Sequence, residues 1–131
     1  MSARQTVPEE PRGRLARSFG YAFRGLRILV TTQANARIHA AATLLAVGAG
    51  FALGISRGEW CAVISVCGLV WMAEGMNTAI ESVVDLVSPE RQPLAGRAKD
   101  VAAGAVLCAA MAAAVVGAVI FAPRLWALLA R

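Results

Sequence analysis

Three long stretches of this chain carry no formal charge, and they limit what it can fold into more than any other feature. The first runs from His39 to Ile55. The second is uncharged from Trp60 to Ala73 and keeps helical apolar spacing to Leu86. The third runs from Val101 to Ala122. A helix needs about 20 residues to cross a bilayer core. The second and third runs meet that length, and Gln33 to Ile38 extend the first at the membrane surface. Composition agrees: 58% of residues are hydrophobic and only 16% are charged, against about 25% charged in soluble proteins. The sequence therefore predicts an all-α membrane protein with spans near 34–55, 60–86 and 95–122.

The net charge of +5 raises the possibility of nucleic-acid binding, but the distribution of charge argues against it. Seven basic residues (Arg4, Arg12, Arg14, Arg17, Arg24, Arg27 and Arg37) precede the first apolar run. Arg91, Arg97 and Lys99 flank the turn between the second and third runs. Arg57, Arg124 and Arg131 fall on the other side. Basic residues of this kind anchor headgroups and set topology. The positive-inside rule puts the N-terminus and the second connection in the cytoplasm and the C-terminus outside. Trp60 and Trp126 then sit at the outer interface, where Trp is favoured.

Residues 1–13 contain Pro8 and Pro11 with no apolar period and read as a mobile tail. They are no signal peptide, because the first apolar run starts too far in. Residues 14–131 read as one domain. In its first part, Leu15, Phe19, Ala22, Phe23, Leu26 and Val30 recur at helical spacing, with Arg17, Arg24 and Arg27 on or near the opposite face. That pattern predicts an amphipathic helix over about 14–30 lying in the membrane interface. The connection Ser56-Arg57-Gly58-Glu59 makes the first two spans antiparallel neighbours. The prolines of Ser88–Pro93 mark a second turn. Small residues crowd the third run, among them Ala102, Gly104, Ala109, Ala113 and Gly117. They allow helices to approach closely in lipid, and so thin a bundle points to oligomerisation. Cys61, Cys67 and Cys108 show no zinc spacing and read as small hydrophobes. His39 has no ligand partner near it and reads as an interfacial hydrogen-bonding residue.

The chemistry lies at the end of the second run. Glu74, Asn77, Glu81 and Asp85 fall at i, i+3, i+7 and i+11. At 100° per residue, Glu74, Glu81 and Asp85 share one stripe with Asn77 beside it. An Asp at mid-membrane depth costs roughly 2.5–3.5 kcal/mol on insertion scales. Solvated acids near the interface would explain the outer members. Glu74 is too deep for that and needs a partner, such as a hydrated hard cation held by carboxylate oxygens. Across the turn, Gly96-Arg97-Ala98-Lys99-Asp100 starts the third span. It suits phosphate binding at a helix N-terminus and equally suits simple topological anchoring. No P-loop or protein-kinase glycine signature is present.

Glu74-x-x-Asn77-x-x-x-Glu81-x-x-x-Asp85 followed by Lys99-Asp100-x-x-Ala103 resembles the signature of the prokaryotic diacylglycerol kinases and undecaprenol kinases. Gly20-Tyr21-Ala22-Phe23-Arg24-Gly25 and Asn35-x-Arg37-Ile38-His39 extend the resemblance, which spans about Arg14 to Pro123. It implies a homotrimer of three-span subunits in the bacterial inner membrane, each with an N-terminal surface helix. The activity it implies is transfer of the γ-phosphate of MgATP to a lipid hydroxyl. By this resemblance Glu74 is the general base, Glu81 a Mg²⁺ ligand, and Asn77 a residue that positions lipid or nucleotide. Tyr21, Glu81, Lys99 and Asp100 contact the nucleotide, and Arg14 the lipid. Many members carry a second metal-binding Glu before the first span. This chain has Gln33 there, which coordinates through its carbonyl but adds no charge. The implied acceptor is diacylglycerol, giving phosphatidic acid, with undecaprenol giving undecaprenyl phosphate as the alternative. The Asn35–His39 segment looks more like undecaprenol-kinase members. The alternative from another class is a non-catalytic membrane assembly or proton-relay protein using the same carboxylates.

Overall fold

The computed structural model describes residues 11–90 and 92–130, with side chains from residue 13 onward. Those residues form four helices: α1 (Pro11–Thr32), α2 (Ala34–Leu53), α3 (Arg57–Val87) and α4 (Pro93–Leu129). No strand occurs among them. The mobile tail expected at 1–13 lies mostly outside the described residues, and its last three positions belong to α1. The last three helices are each long and apolar enough to cross a membrane. At 1.5 Å per residue α3 is about 46 Å long, well beyond a core of about 30 Å. Its two ends therefore project into the interfaces.

α1 and α2 are separated by a single residue. Gln33 takes an extended conformation (φ −99°, ψ 120°) and its side chain caps nothing. Its N–H still donates to the Leu29 carbonyl at 3.0 Å, and Arg37 Nη1 reaches back to the Thr31 carbonyl at 3.4 Å. Leu29 and Ala36 are buried on either side of this elbow. The elbow turns α1 against both α2 and α3.

The α2–α3 connection is shorter than the sequence reading allows. α2 ends at Gly54 in the left-handed region (φ 60°), where glycine has no Cβ to strain. Ser56 then opens α3. Its Oγ accepts from the Glu59 N–H at 3.4 Å, and Glu59 Oε2 accepts from the Ser56 N–H at 2.8 Å. That reciprocal capping box starts a helix at Arg57, inside the segment expected to be loop.

α3 packs against α4 over most of its length. Val63, Cys67, Val70, Glu74, Asn77, Glu81 and Val84 are buried or half-buried at alternating spacings of four and three residues. That is the seam of two helices packed knobs-into-holes. On α4 the same spacing runs through Lys99, Ala102, Val106, Ala109, Ala113, Val116 and Ile120. α4 also outruns the span expected at 95–122. Pro123 lies inside it and costs one backbone N–H without ending the helix. Arg124, next to it, donates to the Ile120 carbonyl at 2.7 Å and to Glu59 Oε2 at 2.9 Å. Asp85 and Lys99 pair at the other end of the hairpin, so α3 and α4 are tied at both ends.

At the far end α2 approaches α3 across Gly50. A Cβ there would lie 2.8 Å from the Trp60 ring and 3.1 Å from Ile55 Cδ1. The ring has little freedom to yield, since it also stacks on Phe51 with centroids 4.8 Å apart. At Gly48 a Cβ would meet nothing within 4 Å. We predict that Gly50→Ala destabilises the detergent-solubilised protein by about 1–3 kcal/mol through overpacking, although Ala is the better helix former. Gly48→Ala is neutral or stabilising, by up to about 1 kcal/mol. Thermal unfolding of the two variants side by side checks this, and equal effects would remove the close approach as a determinant.

Candidate active site

The polar stripe of α3 continues its apolar seam. Val63 and Val70 are followed on the same face by Glu74 and Asn77, which are only 2% and 8% exposed. Glu81 is half-buried and Asp85 exposed. The stripe thus grades from the protein interior to water over about 16 Å of helix. Asn77 Nδ2 donates to Glu81 Oε1 at 3.1 Å. Thr78 Oγ1 spends its proton on the Glu74 backbone carbonyl at 3.0 Å and leaves the Glu74 carboxyl alone. Two buried acceptors, Glu74 Oε2 and Asn77 Oδ1, have no hydrogen-bond partner. A buried polar group without a partner costs roughly 1–3 kcal/mol. These two atoms lie three residues apart on one helix face, so they form a place that lacks a donor. A hydroxyl supplies one.

At the exposed end Lys99 Nζ donates to Asp85 Oδ1 at 2.5 Å. The two residues border a cleft of about 410 Å³ between the end of α3 and the start of α4, with Ser88, Glu90, Gln92 and Gly96 along its rim. Gln92 precedes α4 without a side-chain cap, and Pro93 occupies the first turn. The free N–H groups of that turn open toward the same side of the molecule, which favours anions. Asp100 is exposed beside Lys99.

The remaining candidates stand apart. Arg14 and Tyr21 are exposed on α1, and the Arg24 guanidinium lies 5.9 Å from the Tyr21 ring centre. Gln33 sits at the elbow, half-buried. Among the described residues no hydrogen bond or ion pair joins any of these three side chains to the α3 stripe. No three His, Cys, Asp or Glu side chains among the described residues gather into a metal cage. Glu81 is therefore a single-carboxylate ligand position. That suits Mg²⁺ carried by nucleotide phosphates, which needs only one or two protein carboxylates. His39 borders an apolar cleft of about 300 Å³ between α2, α3 and α4, a more interior setting than the interfacial one read from the sequence.

Two features escaped the sequence reading. Trp71 Nε1 donates to Thr43 Oγ1 at 3.2 Å and links α3 to α2. A groove of about 580 Å³ separates α1 from α3, with Gly25 on one wall and Gly75 on the other. Glycine at both positions is visible in the sequence. That the two lie across one groove depends on the elbow.

The Asp85–Lys99 pair is exposed, with side chains 66% and 37% accessible, and pairs of this kind contribute at most about 1 kcal/mol. Asp85→Asn is expected to change the unfolding free energy in detergent by less than about 1 kcal/mol. A loss several times larger would make the pair a structural clasp of the hairpin.

Comparison with known proteins bears on this geometry. The family described as prokaryotic diacylglycerol kinase matches residues 20–121. The undecaprenol kinase of Bacillus subtilis (strain 168) is 39% identical over 112 residues, covering 86% of this chain and 91% of that one. The diacylglycerol kinase of Synechocystis is 41% identical over 113 residues, 86% of this chain and 65% of its own. The diacylglycerol kinase of Escherichia coli (strain K12) is 37% identical over 102 residues, 78% of this chain and 84% of its own. The matched region contains every residue of the α3 stripe together with Lys99 and Asp100. The chain therefore belongs to the prokaryotic diacylglycerol kinase family and is a lipid kinase.

Proposed function

We propose that the chain transfers the γ-phosphate of ATP to the hydroxyl of a membrane lipid, with Glu74 as general base. The observation that carries this reading is the pair of buried, unpartnered acceptors Glu74 Oε2 and Asn77 Oδ1. They lie one helical stripe away from a lysine-bordered cleft that opens to water. A lipid hydroxyl donates its proton to Glu74 as its oxygen bonds to the γ-phosphorus. The bond from that phosphorus to the β,γ-bridging oxygen breaks, and ADP leaves. Asn77 orients the hydroxyl or the base. Lys99 and Asp100 hold the nucleotide with Tyr21 and Glu81, and Arg14 meets the lipid headgroup. Glu81 is the ligand position for Mg²⁺, and Gln33 is a weaker second one. The bound ion would neutralise phosphate charge. Phosphoryl transfer depends mainly on such positioning and charge neutralisation, so a small chain with few polar residues is chemically sufficient.

Diacylglycerol, giving phosphatidic acid, and undecaprenol, giving undecaprenyl phosphate, both carry a hydroxyl that meets this requirement, and relatives bear both names. The setting we propose is a homotrimer in the bacterial inner membrane. α1 lies as an amphipathic helix on the cytoplasmic surface, and the N-terminus is cytoplasmic. The excess of Arg and Lys around α1 and the α3–α4 turn supports that orientation. The large apolar side chains left exposed on α2 and α4, such as Leu44, Phe51, Leu107 and Val119, supply surface for both lipid and neighbouring copies.

ATP-dependent labelling of extracted membrane lipids by the purified protein tests the activity. In that assay Glu74→Gln is expected to lower turnover by about 10²–10⁴-fold, the usual worth of a general base, with the helical content retained. Near-normal turnover at saturating MgATP and lipid would remove Glu74 from the mechanism.

Gln33→Glu is expected to lower the Mg²⁺ concentration that gives half-maximal activity, because a second carboxylate adds negative charge to the cation's ligands. Turnover at saturating Mg²⁺ changes less, since the ATP phosphates already supply much of the coordination. A Mg²⁺ titration at fixed ATP checks this. An unchanged or raised requirement would show that residue 33 is no ligand position.

A further inference from the structure

The groove between α1 and α3 has a definite chemical character. Its walls are apolar, with Leu26 and Leu29 on one side and Met72 and Met76 on the other. Gly25 and Gly75 line it, and a Cβ at either would meet nothing within 4 Å. These glycines are unlike Gly50, which a neighbouring ring requires. Glycine inside a helix is destabilising relative to alanine, and no packing within the chain makes use of it here. The room they leave is about 580 Å³, and it runs past the chain neighbour of Gly75, the candidate base Glu74.

Hydrogen-bonding capacity decides what can fill that room. Three lining residues carry side-chain donors, and all three are committed. Trp71 Nε1 donates to Thr43 Oγ1 at 3.2 Å, Thr78 Oγ1 to the Glu74 carbonyl at 3.0 Å, and Ser82 Oγ to the Thr78 carbonyl at 2.8 Å. A hydroxyl has one proton to give. The groove therefore offers hydrocarbon and acceptors, and no free side-chain donor among its lining residues. A diacylglycerol brings two ester carbonyls within a few atoms of its hydroxyl, and both are acceptors that would lose water and find no donor. An alcohol whose hydroxyl ends a plain hydrocarbon chain brings none. Its only polar group is the donor that Glu74 Oε2 and Asn77 Oδ1 lack.

We infer that the α1–α3 groove is the acceptor-lipid channel and selects a polyprenol-type alcohol, a long hydrocarbon chain with no polar group near its hydroxyl, over a diacylglycerol. This rests on the lipid-kinase reading above and adds the substrate class to it.

The test uses the full-length protein in mixed micelles with MgATP and either a polyprenol or a diacylglycerol at matched mole fraction. The expected result is a kcat/KM higher for the polyprenol by about tenfold to a hundredfold, the scale on which apolar pockets discriminate. Gly75→Leu, which fills the groove, should raise KM for the polyprenol by about tenfold or more, with a smaller change in kcat and an unchanged assembly mass. Gly25→Leu on the opposite wall should do the same and covers the case in which the first variant fails to fold. Equal or better use of diacylglycerol would overturn the inference and leave the lipid-kinase reading standing. An altered assembly mass in both variants would show that a second copy of the chain occupies the groove, which also overturns it. Phosphorylation of neither lipid would overturn the lipid-kinase reading itself, and this inference with it.

Discussion

The seam between α3 and α4 is the feature on which the rest depends. Carboxyl groups at membrane depth are tolerated only where protein or enclosed water surrounds them. The alternating spacing of Val63, Val70, Glu74, Asn77 and Glu81 places the stripe against α4 rather than against lipid. The opposite face of α4 is small where contact is close, at Ala102 and Ala109, which lets the helices approach without filling the space that the polar groups need. Ion pairs hold the hairpin at both ends, Glu59 with Arg124 and Asp85 with Lys99. They sit where α3 projects past the apolar core, so solvent weakens each of them. Register along the seam is set mainly by the packing.

That arrangement sorts chemistry by depth. Asp85 and Lys99 lie where a water-soluble nucleotide can reach them. Glu81 and Asn77 are a turn or two deeper and joined by a hydrogen bond. Glu74 is deepest, with an oxygen that has no partner. A kinase that joins a soluble donor to a membrane-bound acceptor needs such a gradient, since its two substrates arrive through different solvents. The elbow at Gln33 completes it by folding α1 over the flank of α3, where a water-facing helix meets the lipid-facing surface of a span.

Glycine has two physical roles in this chain, and burial distinguishes them. Gly50 exists for contact, because the Trp60 ring occupies the space its Cβ would take. Gly25 and Gly75 leave space that nothing within the chain fills. The same residue type marks a packed interface in one place and a cavity wall in another.

Much of this was legible in the amino-acid order. Three uncharged runs require three spanning helices, because a bilayer core accepts little else at that length. The offsets between Glu74, Asn77, Glu81 and Asp85 require one stripe, because helical geometry has a fixed angle per residue. Ser56 and Glu59 carried a capping-box signal that a loop reading passed over, and Pro123 suggested an end that α4 does not observe, since a single lost N–H is a small part of a 37-residue helix. What the order of residues left open was which neighbour each face meets. The burial of Glu74, the two unpartnered oxygens, the bond from Trp71 to Thr43 and the opening between Gly25 and Gly75 all depend on how separate helices lie against one another. Periodicity reports the direction of a side chain about its own helix axis. Only the tertiary structure decides whether that direction leads to a partner, to lipid or to an empty groove.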